Sequence, residues 1–217
     1  MKSTLAAGVE PRKKAKQRRS KVRVELILDT TLDMLSVLPA DKITTNAIAQ
    51  NAGVSIGSVY QFFPNKEAIF YELFKRWLAQ TIAALDDVKD SLKAGDPVEE
   101  CVSAILVALG DDTQINSPGR WQLRRAMGSS RSLAELEEKH LREIIQRIVG
   151  LQSVFGCKAS PGLETELALL QNQVTVACLQ MLALTENSPN RARIFNWCKR
   201  LLTVSFDFDC LDDVRES

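Results

Sequence analysis

The side chains able to do chemistry crowd into one stretch, residues 44–66, which reads TTNAIAQNAGVSIGSVYQFFPNK. They are hydroxyls (Thr44, Thr45, Ser55, Ser58, Tyr60), amides (Asn46, Gln61) and a cation (Lys66). Their chemistry is hydrogen bonding to another molecule. Gln61 can bond an adenine edge in a bidentate way, worth about 1–3 kcal/mol of discrimination, and Ile56 suits a thymine methyl. Lys66 is a cation beside a helix N-terminus, and both favour a phosphate oxygen. Ile56 to Phe63 contains no Lys or Arg, so direct reading of guanine there is weak. Base discrimination then falls to Asn46, Ser58, Gln61 and apolar contacts, or to DNA shape.

These groups need two short helices to present them. Thr44-Thr45-Asn46 offers N-cap chemistry before Ala47-Ile48-Ala49, with Thr44 the cap rather than a base reader. Ser55 can cap the next helix, Ile56 to Phe63. Ala52 is small enough for close approach, and Gly53 permits a sharp turn without a Cβ clash. Ile48, Ala49, Val59 and Phe63 face inward, with Phe62 also in the core. The result is a helix-turn-helix whose second helix can enter a major groove about 12 Å wide.

Other chemistries find little support. His140 is the sole histidine and is flanked by Glu137, Glu138, Lys139 and Arg142, as on a solvated surface. A Ser-His triad would have to use it, and no G-x-S-x-G, H-E-x-x-H or phosphate-loop motif is present. An enzyme is therefore not expected, and neither is a cofactor. The five cysteines form no C-x-x-C pair, so no metal site is expected. Cys101, Cys178 and Cys198 lie in apolar helical patterns and read as small buried hydrophobes, which fits a reducing, cytoplasmic setting. Leu167 to Thr185 is uncharged and long enough to span a bilayer, but Gln171, Asn172, Gln173 and Gln180 would be costly in lipid. A helix buried in protein is the better reading, and the first residues are too poor in apolar side chains for a signal peptide.

The net charge of +1 hides an asymmetry. Residues 1–80 carry 13 Lys/Arg against 7 Asp/Glu, whereas residues 81–217 carry 15 against 20. A basic front and an acidic rear imply a polyanion bound by the front alone. Residues 1–19 read as a basic flexible arm. Apolar spacing predicts helices from Val22 to Leu38 and from Pro64-Asn65 to about Leu92. Asp96-Pro97, Ser117-Pro118, Ser160-Pro161 and Ser188-Pro189 each place a cap acceptor before a proline suited to a first helical turn. Asp96 with Glu99, and Ser132 with Glu135, fit a reciprocal capping box. These signals predict helices near 97–109, 118–128, 132–155, 161–186 and 189–206. The fold class is all-α, with about nine helices.

Thr44, Ile48, Ala49, Ala52, Gly53, Val54, Ser55, Gly57, Val59, Tyr60, Phe62, Phe63, Asn65, Lys66 and Glu67 together resemble the DNA-binding segment of the TetR family of transcriptional regulators. The resemblance covers about residues 20–78, which it implies are a helix-turn-helix DNA-binding domain. By length and helix count, 79–217 looks like the family's effector-binding and dimerisation domain. It implies DNA contacts from Thr45, Asn46, Ser55, Ile56, Gly57, Ser58, Tyr60 and Gln61, with Tyr60 and Lys66 on phosphates. It implies a homodimer on a palindromic operator, acting as a repressor that a small-molecule effector releases. The helix near 161–186 is apolar around much of its circumference, as a partner-covered helix would be. Gln171, Gln173 and Gln180 could bind an effector, bond a partner subunit or face water; Trp121, Gln122 and Met127 are further pocket candidates. An architectural DNA-binding protein without a switch is the alternative, with a helical enzyme a remote third.

Overall fold

A computed structural model describes residues 18–206, apart from 94, 111–115, 128–130 and 158. The described residues form nine α-helices and one 3-10 turn, with no strand. In chain order these are α1 (Arg18–Val37), the 3-10 turn (Ala40–Lys42), α2 (Thr45–Asn51), α3 (Ile56–Phe62) and α4 (Lys66–Ser91). There follow α5 (Val98–Gly110), α6 (Pro118–Met127), α7 (Arg131–Val154), α8 (Pro161–Leu184) and α9 (Arg191–Ser205). The all-α expectation holds, and every predicted helix is present. The arm falls outside the described residues up to position 17.

The chain divides into two compact units, residues 1–79 with 117–138 and residues 80–116 with 139–217. The first unit is thus made of two stretches, whereas the sequence reading assigns α6 to the rear domain. The reason lies in packing. A Cβ on Gly119 would stand 2.6 Å from the carbonyl oxygen of Leu32 and 2.6 Å from Ser36 Oγ. Only a residue without a side chain lets α6 press this closely on the α1 backbone.

Within the first unit, α1 buries Val24, Ile27, Leu28, Thr31, Met34 and Leu35, the period of one helical face. The Thr31 hydroxyl is satisfied by donating to the Ile27 carbonyl at 2.7 Å. The first half of α4 adds Ala68, Ile69, Phe70, Leu73, Phe74, Trp77 and Leu78. Trp77 sits edge-on to both Phe74 (centroids 5.7 Å apart) and Trp121 of α6 (5.6 Å). Arg124 lies over the Trp121 ring at 5.8 Å and pairs with Glu137 at 2.9 Å.

The second unit is built around α5, α8 and α9. Gln152 Nε2 donates to Gln171 Oε1 at 2.9 Å, and Gln171 Nε2 donates to the Ser205 carbonyl at 2.6 Å, tying α7, α8 and α9 together. Asn116 donates to the carbonyls of Gly110 and Leu179. Arg147 grips Asp86 with two bonds, at 2.7 and 2.8 Å. Its guanidinium holds the Asp86 carboxyl below the usual range. Cys101, Cys178 and Cys198 are buried, as expected. Burial pushes the Cys101 thiol up to about 11 and that of Cys178 up to about 12, so both stay protonated at neutral pH.

Four capping expectations need correction: the Ser117 Oγ is buried without a hydrogen-bond partner among the described residues, the Ser160 side chain makes no cap bond, and Asp96 and Ser188 bond elsewhere. Asp96 accepts instead from the Lys93 amide at 2.8 Å, and Pro97 supplies the carbonyl that receives the amides of Glu100 and Cys101. Glu99 is drawn off to Lys199 at 2.8 Å, so α5 starts one residue later than the box would place it. The Ser188 hydroxyl accepts from the Asn190 amide at 3.2 Å, which puts Pro189 in the preceding turn and starts α9 at Arg191. Glu135 pairs with Arg131 at 3.2 Å, and the Ser132 side chain is outside the described part.

Candidate nucleic-acid interface

Thr44 accepts from the Ala47 amide at 3.1 Å and starts α2 as its N-cap. Gly53 takes φ +62°, with nothing within 4 Å of a notional Cβ, so its backbone angle and not crowding calls for glycine. Ser55 accepts from the Ser58 amide at 3.1 Å and starts α3. Ile48, Ala49, Ala52, Val59, Phe62 and Phe63 are all buried beneath the two helices. A rigid apolar underside therefore holds one outward face.

That face carries the predicted residues. Asn46, Ser55, Ile56, Gly57, Tyr60 and Gln61 are exposed, and Thr45 and Ser58 are half-buried. Tyr60 is 44% exposed, and its hydroxyl lies 3.1 Å from Thr45 Oγ1. This bond links α2 to α3 and ties the phenol oxygen to the start of α2. Ser58 Oγ lies 2.8 Å from Ser55 Oγ, so the two hydroxyls act as a pair. A Cβ on Gly57 would meet only Ser55 Oγ, at 4.0 Å, which leaves room for an approaching backbone. Charge is absent from α3 itself; Arg19, Lys21 and Arg23 on α1 and Lys42 in the 3-10 turn are exposed cations of the same unit.

Lys66 departs from the sequence expectation. It is half-buried, and its Nζ donates to the carbonyls of Ala40 and Ile43, both at 3.1 Å. The ammonium therefore pins the turn before α2, and one of its three N–H groups remains for a phosphate. Asn65 caps α4 by accepting from the Ala68 amide at 2.9 Å, as Pro64-Asn65 implied. Neither the Lys66 pin nor the Thr45–Tyr60 bond was legible in the sequence. Each joins residues at least 15 positions apart and leaves no periodic trace.

The pocket candidates are divided between the two units. Trp121 is buried against Trp77 in the first unit, with Gln122 half-buried beside it; the Met127 side chain is outside the described part. Gln171 is buried, and its amide is spent on Gln152 and Ser205. Gln173 is exposed and Gln180 half-buried on α8. The pocket reading of Gln171 is thus replaced by a structural one: its buried amide satisfies a main-chain carbonyl that would otherwise lack a donor. His140 is half-buried on α7. Among the described residues, no group of three or more His, Cys, Asp and Glu could hold a metal ion.

The comparisons with known proteins agree with this geometry. Residues 27–73, which run from α1 through α2 and α3 into α4, match the bacterial regulatory proteins of the tetR family. The fatty acid metabolism regulator protein of Bacillus subtilis (strain 168) is 26% identical over 160 residues, covering 70% of this chain and 78% of that protein. The solved fatty acid degradation regulator FadR from Bacillus halodurans superposes with a TM-score of 0.64 at 14% identity, covering 88% of this chain and 97% of that one. A SmeT–triclosan complex superposes with a TM-score of 0.64 at 16% identity, covering 85% and 91%. A family domain on the helix-turn-helix and a shared fold over most of the chain lead to one conclusion: over residues 27–73 this protein carries the DNA-binding domain of the tetR-family bacterial regulatory proteins, within a chain that has the fold of solved transcriptional regulators.

Proposed function

We propose that the protein binds a palindromic operator as a homodimer, represses transcription there, and leaves the DNA when a small molecule binds the rear domain. The observation that carries this is the polar face of α2 and α3 on a fully apolar underside, with Tyr60 held outward by Thr45. Tyr60, Ser55, Gly57 and one N–H of Lys66 serve phosphates; Gln61, Asn46, Ser58 and Ile56 serve base edges. Residues 1–18 add non-specific attraction for the polyanion.

A second copy covers α8 and α9. Leu163, Leu170, Met181 and Leu184 are exposed on α8, as are Leu201 and Val204 on α9. Burying each would contribute up to about 1.5–3 kcal/mol. The same apolar surface explains why Gly162–Leu184 is long and apolar enough to cross a membrane, with only 39% of that window buried. We read it as a subunit interface, and the protein as cytoplasmic. Two recognition helices about 34–36 Å apart then meet successive major grooves. The effector acts by preferring a state with different spacing, and can shift the equilibrium only by that differential affinity. Binding, not catalysis, is the whole activity.

Footprinting on the DNA adjoining the protein's own coding region tests this reading, repeated with a metabolite panel. Two of the proteins compared are named for fatty acid metabolism and degradation, so fatty acids and their thioesters head that panel. A protected inverted repeat, preferred over random DNA by about 10³–10⁷, is expected. Uniform coating without preference would instead make this an architectural DNA-binding protein.

A further inference from the structure

The hydroxyls of the α2–α3 face have fewer protons to give than they have oxygens. Each carries one proton and two lone pairs. Ser58 Oγ lies 2.8 Å from Ser55 Oγ, and Tyr60 Oη lies 3.1 Å from Thr45 Oγ1. Each contact holds one O–H between its partners, so each pair keeps one proton for an outside acceptor. The serine pair is constrained further. Ser55 Oγ already accepts from the Ser58 amide at 3.1 Å, so one of its lone pairs is spent on capping α3. Two arrangements remain. If the Ser58 hydroxyl donates to Ser55, both Ser55 lone pairs are filled; Ser55 keeps its proton and Ser58 keeps two lone pairs. If Ser55 donates instead, Ser58 keeps a proton.

A phosphate oxygen decides between them. It only accepts, so a Ser55 hydroxyl that serves a phosphate must turn its proton outward. Ser55 is exposed and Ser58 half-buried, which makes Ser55 the more accessible of the two. The Ser58 proton is then held by Ser55, and Ser58 meets the groove with lone pairs alone. We propose that Ser58 is an acceptor-only reader, one that selects an exocyclic amino group (adenine N6 or cytosine N4) and rejects the carbonyls and N7 atoms that a free serine hydroxyl could equally meet. This rests on the operator reading above and names the base group that Ser58 requires. Its place in the site also follows. Ser58 and Gln61 are one helical turn apart, roughly 4.5 Å along α3, against about 3.4 Å between stacked bases. The amino group therefore belongs to a base pair beside the one that Gln61 reads.

Selection from random duplexes, followed by deletion of single base groups, tests this. The wild type should enrich an inverted repeat, and Ser58→Ala should relax one position in each half-site, beside the one that Gln61→Ala relaxes. Every base pair shows the major groove one amino group, one carbonyl and one N7, so base identity leaves the polarity open and group deletion fixes it. Removing the amino group at that position (purine for adenine, 2-pyrimidinone for cytosine) should weaken wild-type binding about threefold to tenfold more than it weakens Ser58→Ala. Removing the carbonyl (5-methyl-2-pyrimidinone for thymine, 2-aminopurine for guanine) or N7 (7-deazapurines) should move both proteins alike. Ser55→Ala releases the Ser58 proton, so the amino-group effect should shrink below about twofold. Ser55→Asp keeps both the cap and an acceptor for that proton, so the effect should persist while binding to every duplex weakens. A Ser58-dependent loss on removal of the carbonyl or N7, or an amino-group effect that Ser55→Ala leaves whole, would overturn the proposal. So would a Ser58→Ala variant that selects the same repeat with the same preferences as the wild type. A wild type that enriches no repeat would instead overturn the operator reading, and this proposal with it.

Discussion

At the level of single residues, Tyr60 and Lys66 show how little of a site's geometry its residue types reveal. The phenol was legible as a surface group; the Thr45 hydroxyl 3.1 Å away that aims it was not, because it lies on another helix. Tyr60→Phe removes the hydroxyl and should weaken binding by about 1 kcal/mol, equally for operator and random DNA. Fluorescence anisotropy on both duplexes checks this, and a loss confined to the operator would contradict the phosphate role. Lys66 was legible as a cation at a helix start, but not as a pin. Lys66→Met removes a donor from the carbonyls of Ala40 and Ile43, of which Ala40 keeps the Ile43 amide, and should cost about 1–3 kcal/mol of stability. Urea denaturation of the free protein reads that cost before any DNA is added. A variant as stable as the parent would show the two bonds to be idle.

At the level of elements, the helices themselves were legible because each rests on local chemistry: apolar period, a cap, a proline. The Thr44 and Ser55 caps and the left-handed Gly53 formed as their types demand. The Asp96–Glu99 box failed because a tertiary partner, Lys199, captured the glutamate. Capping is a local bid that a well-placed cation can outweigh. The docking of α6 on α1 was illegible for a similar reason, since Gly119 announces a helix start but not which helix it will meet. Gly119→Ala drives a methyl into the Leu32 carbonyl and should destabilise by about 1–3 kcal/mol, seen as a lower melting temperature. The Asp86–Arg147 pair makes a pH prediction. The folded carboxyl titrates below its ordinary value, so its contribution is present above about pH 3.9 and is lost as pH falls through the lowered value. The pair is partly exposed, so Asp86→Asn should cost under about 1 kcal/mol at pH 7. That difference should close at strongly acidic pH in denaturation curves.

For the molecule as a whole, the apolar excess of α8 was visible in its sequence, and the exposed Leu170 and Met181 give it a surface. Leu170→Glu/Met181→Glu should shift the protein to monomers in sedimentation velocity and abolish tight operator binding while leaving the helical content intact. The interleaved assembly of the first unit has a further consequence, one for biosynthesis. Its two stretches, residues 1–79 and 117–138, are separated along the chain by a segment that belongs to the other unit. A ribosome adding about 5–20 residues per second must work for roughly 3–12 s more after residue 79 before residue 138 is made. Until then α1 and α4 lack the cover of α6, and Leu32 and Trp77 face solvent or a chaperone. The unit that carries the helix-turn-helix is begun first but cannot be finished until residue 138 has been added.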